Sequence, residues 1–297
     1  MTAVQGVVTA IVTPMMEDGA IDIDTFRELV NWQVACGVRG IVIAGTTGEV
    51  STLGHEEHIA LVEEAVRITK GRLSIIAGAG SNSTQEAIEL TRHAKAVGAD
   101  ASLQVVPYYN KPTQDGLYQH FRMIAEEVDL DMVLYNVPLR VGTKLNPDTT
   151  ARLSRVPGIV GVKDTEASML SMYRLLRWHG FREGFVVYSG DDITSHGAVL
   201  MGAHGVVSVE SNLTPTQTWR RHANVEGALG SEDECARDKM LSCMFKLANP
   251  MPIKHALHKA GQLRGGIRSP LTWLPCTLGA ELCSAARGYA SGVGDGI

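Results

Sequence analysis

The chain has 297 residues, of which 44% are hydrophobic and 20% are charged, and its formal net charge is −5 at pH 7. That length and apolar content suffice for one large domain, or a barrel with an appendage, to bury a substantial core. Acidic and basic residues are interspersed, so the charge pattern gives no reason to expect nucleic acid or an anionic membrane as a partner. No apolar run approaches the roughly 20 residues that span a bilayer, which argues against a membrane protein.

The cysteines and the N-terminal stretch predict a cytoplasmic location. Residues 1–19 have no basic residues ahead of their apolar stretch, so they predict a first strand rather than a signal peptide. The five cysteines form no CxxC pair and are odd in number, which is typical of reduced structural thiols rather than of a disulfide framework or a zinc site. They are Cys36, Cys235, Cys243, Cys276 and Cys283.

Short β-branched runs recur through the first two thirds of the chain, and a helix-period stretch follows most of them. Between the runs lie amphipathic segments such as 24–37 and 83–98, which end near a glycine as helices commonly do. Eight parallel strands with crossover helices predict a closed (β/α)₈ barrel over residues 1–225. An open doubly wound sheet is the alternative, although no GxGxxG follows the first run. The eight predicted strands are 6–14, 40–45, 74–80, 101–107, 132–138, 159–164, 185–191 and 205–211.

The pattern changes after residue 225. Residues 226–297 are helical in period and contain no strand-like run, so they predict a small C-terminal helical domain packed on the barrel.

In a barrel of this type the active site lies at the C-terminal ends of the strands, so polar residues there are functional candidates. The second strand is followed by "GTTGE", whose glycines let the backbone approach a ligand while Thr46 and Thr47 offer hydroxyls and amide donors. An ordinary turn into a helix is the alternative. His55 and His58, three residues apart, resemble half of a metal site but lack a third ligand at a helpful spacing, which favours a solvent-facing or effector role.

The fourth and fifth strands end in aromatic and basic residues. In "PYYNKP" the adjacent Tyr108 and Tyr109 cannot both point the same way, so one is predicted to face the site and the other to pack at a subunit contact. In "YNVPLRVG", Tyr135 lies inside the strand and Arg140 lies beyond Pro138. A tyrosine can transfer protons to a carbinolamine, and an arginine suits a carboxylate. A core tyrosine and a solvated loop arginine are the alternatives.

The sixth strand, "IVGVKD", ends its apolar run on Lys163. An ammonium near an apolar interior is disfavoured in its charged form, so a neutral amine becomes available to attack a carbonyl. The alternative is a lysine that snorkels to the rim or pairs with Asp164 or Glu166. In "SGDD" after the seventh strand, Asp191 and Asp192 could ligate a metal, but an aspartate that begins a helix is the commoner explanation.

The motifs "GTTGE", "PYYNKPTQDGLYQHF", "YNVPLRVG", "GVKD" and "SGDD" occur together and in this order. In this combination the chain resembles the pyruvate-dependent class I aldolases and lyases typified by dihydrodipicolinate synthase and N-acetylneuraminate lyase. The resemblance runs from "VVTAIVTPM" to "NPMPIKHAL" and is weakest between about residues 220 and 247. It implies a barrel enzyme that uses no metal or organic cofactor and assembles as a homotetramer, a dimer of dimers.

The resemblance also implies a role for each strand-end residue. Arg140 resembles an arginine that is characteristic of the dihydrodipicolinate synthase branch. In that branch the arginine binds the carboxylate of aspartate semialdehyde. Tyr109 is contributed by a neighbouring subunit in the family. The implied catalytic residues are Lys163 as the Schiff-base nucleophile for pyruvate, Tyr135 as the proton-transfer residue, and Thr46 and Tyr109 as its relay. The implied substrate-binding residues are Thr47 with the backbone of Thr46 for the pyruvate carboxylate, and Gly190 and the carbonyl of Val207 around the lysine.

Three positions depart from the family pattern: Val106 where threonine is common, Leu139 where a smaller residue is common, and Glu210 where a small or hydroxyl residue is usual. If Glu210 faces the cavity, its charge repels a second carboxylate unless Arg140 or another cation compensates it.

The resemblance further implies feedback inhibition by lysine, which binds at a subunit interface in lysine-inhibited relatives. Val50 replaces a residue that is often serine in that site. The matching effector positions are His55, His58, Asn82, Glu86 and Tyr108.

The sequence therefore predicts a lysine-biosynthesis enzyme that condenses pyruvate with aspartate semialdehyde. The nearest alternative is another pyruvate Schiff-base aldolase, lyase or dehydratase that acts on a different aldehyde or on a 2-keto-3-deoxy acid. A metabolite-binding regulatory protein without turnover is an alternative of another class, and a metal-dependent aldolase is disfavoured.

Overall fold

A computed structural model describes residues 4–224 and 232–291. Its eight strands are all parallel and close into a barrel in sequence order, with β1 paired to both β2 and β8. This confirms the predicted (β/α)₈ barrel and excludes the open sheet. The strands are β1 (Gly6–Ala10), β2 (Gly40–Ile43), β3 (Ser74–Gly78), β4 (Ala101–Val105), β5 (Asp131–Asn136), β6 (Ile159–Asp164), β7 (Val186–Ser189) and β8 (Gly205–Ser208).

Helices connect the strands and continue beyond the barrel. Two 3₁₀ turns, Val50–Thr52 and Glu210–Asn212, lie at strand ends on the side where the active site is expected. The helices are α1 (Ile23–Ala35), α2 (His55–Thr69), α3 (Thr84–Ala96), α4 (Gln114–Glu127), α5 (Pro138–Val141), α6 (Pro147–Leu153), α7 (Met169–Leu176), α8 (Ser195–Leu200), α9 (Pro215–Ala223), α10 (Glu232–Met244), α11 (Met251–Lys259) and α12 (Cys276–Ser291).

The strands are buried on both faces, as parallel strands covered by helices must be. All residues of β2, β7 and β8 are buried, which explains their continuous β-branched runs without polar alternation. Polar caps start several of the surrounding helices: the side chain of Asp22 accepts from the Thr25 amide at 3.1 Å, and that of Thr113 accepts from the Gly116 amide at 3.2 Å. Sequence periodicity and capping thus act together to set the βα units.

Most of the predicted strands continue beyond the observed ladder at their C-terminal ends. The first strand ends at Ala10 rather than at Pro14, and the amide of Val12 donates instead to the side chain of Asn212 at 3.0 Å. Ile11 and Val12 are buried although they lie beyond the strand. The predicted strand was too long because the apolar run continues past the last residue of the ladder. The irregular backbone past each strand is the part that forms the candidate site.

The C-terminal helices α10 and α11 pack against α12, and α11 also packs on the turn Glu210–Asn212 at the end of the barrel. The predicted domain boundary between residues 225 and 226 lies outside the described residues, so it stays a prediction. Within residues 4–224 and 232–291, no helix is both long and apolar enough to span a membrane.

Two ion pairs fasten the C-terminal part to the "GTTGE" side of the barrel. Lys254 in α11 pairs with Glu49, and both side chains are completely buried. Arg268 donates to both oxygens of Glu57 at the start of α2. Its hydrogen bonds lower the pKa of Glu57 to about 2. The C-terminal segment is therefore anchored beside the strand ends that carry the candidate catalytic residues.

Candidate active site

Lys163 lies at the C-terminal end of β6, and only 6% of its surface is exposed. It stands in register with Tyr135 on β5 and with Tyr188 on β7. Its ammonium nitrogen lies 4.3 Å from the centre of the Tyr135 ring. A primary amine is thus held in the barrel interior beside a phenol, an arrangement suited to attack on a carbonyl with proton transfer.

The carboxylates that could have neutralised Lys163 bond elsewhere. Asp164 accepts from the side-chain amide of Asn136 at 2.7 Å and from the Glu166 amide at 3.1 Å. Burial raises the pKa of the Asp164 carboxyl, and those hydrogen bonds oppose the rise. Glu166 binds the ammonium of Lys144 at 2.7 and 2.8 Å. Asn136 thus binds Asp164, and Lys144 binds Glu166, so Lys163 forms an ion pair with neither acid. The sequence did not point to Asn136 or Lys144.

Gly190 lies against the lysine side chain. A Cβ at this position would lie 2.7 Å from Cε of Lys163 and 2.1 Å from Oγ1 of Thr165, closer than atoms can pack. Its amide donates to the Asp164 carbonyl at 2.7 Å, which ties the turn after β7 to the end of β6. Only glycine fits here without displacing the lysine. Val207 lies two strands away from Lys163 in β8 and is buried.

The loop after β2 has a strained backbone. Ala44 and Glu49 have φ angles of +52° and +57°, in the left-handed region that residues with a side chain rarely adopt. Thr47 inside this loop is buried, whereas Thr46 is half-buried and lines a cavity. Such strain persists only where the surroundings hold it, and it is common at binding sites.

Asn249, just before α11, joins two of the predicted substrate-binding residues. Its side-chain amide donates to Oγ1 of Thr47 at 2.8 Å, and its backbone carbonyl accepts from the guanidinium of Arg140 at 2.9 Å. Arg140 lies on α5, the single helical turn that Pro138 begins after β5. Asn249 is not among the residues predicted from the sequence, although the "NPMPIK" motif that contains it belongs to the resemblance.

A cavity of about 410 Å³ opens beside these residues. Its lining contains Thr46, Tyr135 and Arg140 from the predicted active site. Lys163 and Val207, in β6 and β8, and Gly190, just after β7, lie outside this lining. The predicted effector residues that line the same cavity are His55, His58, Glu86 and Tyr108, together with Val50. One space therefore joins three of the predicted active-site residues to most of the predicted effector site.

His58 is the buried residue of the effector set. Its Nε2 lies 2.7 Å from the Gly78 carbonyl, and burial lowers the pKa of the imidazole. Glu86 accepts from the Ser81 hydroxyl, and the Asn82 side-chain amide donates to the Tyr108 carbonyl at 3.2 Å. Asn82 thus positions the loop that carries Tyr108 instead of lining the cavity itself.

Tyr108 and Tyr109 differ in their surroundings. Tyr108 is 42% exposed and lines the cavity, whereas Tyr109 is 89% exposed and has a φ of +73°. A strained backbone that holds a large aromatic ring out in solvent costs free energy, and such strain is common at functional positions. Unlike Thr46 and Tyr135, Tyr109 does not line the cavity.

The two aspartates of "SGDD" accept hydrogen bonds from nearby residues of the protein. Asp191 accepts from the amide and hydroxyl of Thr194 at 2.9 and 2.6 Å. Asp192 accepts from the amides of Val209 and Glu210 at 2.8 and 2.9 Å, and burial raises its pKa to about 6. In the described part of the chain, no group of three or more His, Cys, Asp or Glu side chains could hold a metal ion.

None of the three departures from the family pattern lines the cavity. Val106 is buried in the core and Leu139 is 86% exposed. Glu210 is completely buried and forms an ion pair with Arg237 of α10. The cation required to compensate Glu210 is thus supplied by the C-terminal helices.

Comparisons with known proteins give matches over nearly the whole chain. The model of the dihydrodipicolinate synthetase family matches residues 3–282. The 4-hydroxy-tetrahydrodipicolinate synthase of Polynucleobacter asymbioticus is 47% identical over 96% of this chain and 94% of its own. A solved Acinetobacter baumannii dihydrodipicolinate synthase, complexed with pyruvate, superposes with a TM-score of 0.91 at 43% identity, over 97% of this chain and 99% of that one. The Cyanidioschyzon merolae enzyme, solved with lysine bound, gives 0.89 at 36% identity, over 96% and 98%.

Proposed function

Because the chain belongs to the dihydrodipicolinate synthetase family, we propose that it is a 4-hydroxy-tetrahydrodipicolinate synthase, which condenses pyruvate with L-aspartate 4-semialdehyde in lysine biosynthesis. The observation that carries this proposal is the buried amine of Lys163 beside the Tyr135 ring at a strand end of the barrel. Pyruvate, the ligand of the solved Acinetobacter baumannii enzyme, supplies the carbonyl for that amine.

The reaction begins when the neutral amine of Lys163 adds to C2 of pyruvate. The carbinolamine loses water to give a protonated imine, which draws electrons from the methyl group so that a methyl proton leaves and an enamine forms. The enamine carbon attacks the aldehyde carbon of aspartate semialdehyde. The amino group of that substrate then adds to the imine carbon, closes the ring and displaces Lys163. The protonated imine supplies the electrophile, so the proposed chemistry uses no metal or organic cofactor.

Proton transfer in this scheme is assigned to Tyr135 with a relay through Thr46 and the partner subunit's Tyr109. Tyr135 and Thr46 line one cavity, which supports their direct participation. The 89% exposure of Tyr109 supports its insertion into a second copy. Thr47 and the backbone of Thr46 are assigned to the pyruvate carboxylate, with Asn249 holding the Thr47 hydroxyl. Gly190 and the Val207 carbonyl are assigned to the surroundings of the imine.

Arg140 is assigned to the carboxylate of aspartate semialdehyde. We expect Arg140→Ala to lower kcat/KM for this aldehyde by about 10- to 100-fold, since it loses charge-assisted hydrogen bonds, while the KM for pyruvate changes little. Steady-state kinetics with each substrate varied in turn measures both effects. Arg152→Ala, which removes a surface arginine paired with Asp115, is the control. If the wild type turns over other aldehydes but not this one, the enzyme is a different pyruvate lyase.

Lysine inhibition is proposed from the shared cavity. Glu86 and Tyr108 line it together with Tyr135, so a bound amino acid lies close to the catalytic tyrosine. We expect millimolar L-lysine to lower the initial rate, and Glu86→Gln to raise the half-inhibiting concentration about 10-fold, because the ammonium of lysine loses its anionic partner. Activity unchanged by millimolar lysine would rule out this assignment.

A homotetramer is proposed from two separate exposed apolar faces. The first face comprises the exposed Tyr108 and Tyr109, after β4, and Leu139, after the neighbouring strand β5. The second face comprises Met169, Leu170, Tyr173, Ile193 and Leu200, on and around α7 and α8, which pack together. Contiguous exposed apolar residues mark interfaces, and two faces allow a dimer of dimers.

Sedimentation velocity tests the assembly. We expect the wild type to sediment as a tetramer and Leu200→Glu to sediment as a dimer that keeps the first face paired, because a charge on the second face must be desolvated on association. A monomeric wild type would contradict the proposal, and a tetrameric Leu200→Glu would contradict the second face. We also propose a cytoplasmic location, since none of the five cysteines forms a disulfide within the described residues, and cell fractionation tests this.

A further inference from the structure

Arg237 of α10 has the largest side chain by volume among the completely buried residues of the described chain. Only 1% of this side chain is exposed. Its Nε donates to both carboxylate oxygens of Glu210 at 2.9 Å, and one terminal nitrogen donates to Oε2 at 2.7 Å. Glu210 begins the 3₁₀ turn that follows β8 and is also completely buried. A C-terminal helix thus inserts a charge into the barrel at a strand end.

The same guanidinium reaches a second strand end. It donates to the backbone carbonyl of Asp192, in the turn after β7, at 2.8 Å. The Asp192 carboxylate in turn accepts from the amides of Val209 and Glu210 at 2.8 and 2.9 Å. The turns after β7 and β8 are therefore joined directly to each other and again through Arg237.

The turn after β7 adjoins Lys163. Gly190, two residues before Asp192, donates to the Asp164 carbonyl at 2.7 Å and leaves no room for a Cβ beside Cε of Lys163. Close packing of this kind leaves little slack, so a shift of the turn after β7 is transmitted to the lysine side chain.

We propose that Arg237 and Glu210 are positioning residues, which fix the turns after β7 and β8 and so hold Lys163 in the geometry needed to attack pyruvate. This inference deepens the proposed function and rests on it. Stability alone is a poor reason for such a pair, because apolar residues of similar volume commonly replace buried ion pairs without loss. The planar guanidinium supplies what they lack, since it bonds the Glu210 carboxylate and the Asp192 carbonyl in one fixed plane.

Two variants separate positioning from stability. Arg237→Met/Glu210→Leu removes both charges and keeps the volume, so we expect it to fold and to bind pyruvate with a KM within about threefold of the wild type. Its kcat is expected to fall about 10- to 100-fold, because misplacing a reacting group by about 1 Å costs that much. Arg237→Lys keeps the buried cation but loses the Nε donor that bonds both Glu210 oxygens, so its kcat is expected to lie between those of the wild type and the double variant.

The measurements are kcat, the pyruvate KM, Tm and the rate at which pyruvate and borohydride modify Lys163. Lys246→Gln/Glu281→Gln is the matched control, since it breaks an exposed ion pair between α12 and the residues just after α10 that touches no strand-end turn. It is expected to keep the wild-type kcat.

A folded double variant with kcat and modification rate within twofold of the wild type would overturn the proposal, as would an equal loss in the control. If the double variant does not fold, Arg237→Lys decides in the same way. A wild type that neither turns over nor is modified by pyruvate would instead refute the proposed function.

Discussion

Lys163→Ala is expected to lower turnover of pyruvate and aspartate semialdehyde by about 10⁴-fold or more, because the variant has no amine to form the imine. Lys163→Arg is expected to be equally inactive. Its guanidinium keeps a cation beside the Tyr135 ring but stays protonated and cannot add to a carbonyl. Loss in both variants would therefore separate the nucleophile from the charge. Initial rates at saturating pyruvate measure the effect, with circular dichroism to verify that each variant is folded.

Lys246→Ala is the control for these variants. Lys246 pairs with Glu281 among the C-terminal helices, so its loss removes an exposed ion pair and no amine from the site. We expect its kcat to stay within about tenfold of the wild type. Activity above about one per cent in Lys163→Ala or Lys163→Arg would contradict the assignment of the nucleophile.

Lys254→Met is expected to lower the free energy of unfolding by about 3–5 kcal/mol, because it leaves the Glu49 carboxylate buried without its cation. Burial lowers the pKa of Lys254, whereas Glu49 favours its charged form. The denaturation midpoint in urea, taken with an unchanged m-value, measures the loss.

The double variant Lys254→Met/Glu49→Gln is the control for this loss. It removes the stranded charge but keeps an acceptor for the Arg268 amide, so we expect it to recover most of the stability of the wild type. Lys246→Met, which breaks an exposed pair, should scarcely move the midpoint. A Lys254→Met midpoint equal to that of the wild type would show that Glu49 finds another partner.

The barrel and the position of the candidate lysine could be predicted because each leaves a local pattern in the sequence. Eight β-branched runs alternating with amphipathic segments specify the βα units, and a lysine at the end of an apolar run is conspicuous. The ends of the strands could not be predicted, since residues such as Val12 remain buried after they leave the ladder. The hydrophobic pattern indicates which residues are buried, but it does not indicate which partners their backbone groups hydrogen-bond.

The residues that the sequence did not reveal act across long separations. Asn249 bonds Thr47, and Lys254 pairs with Glu49, over more than 200 positions in each case. In the sequence, Arg237 is one of several charged residues in a polar helical segment. Only the fold shows that it is buried against Glu210. No periodicity marks such contacts. The strained φ of Tyr109 is likewise a property of the folded loop.

The most direct test of the Lys163 nucleophile is peptide mapping of the wild-type enzyme after incubation with pyruvate and borohydride, without the second substrate. Reduction of an imine fixes the pyruvate carbon skeleton to the amine that formed it. We predict one stable adduct, on the peptide that carries Lys163, with no adduct when pyruvate is omitted. Absence of an adduct on an active enzyme, or an adduct confined to another lysine, would contradict this assignment.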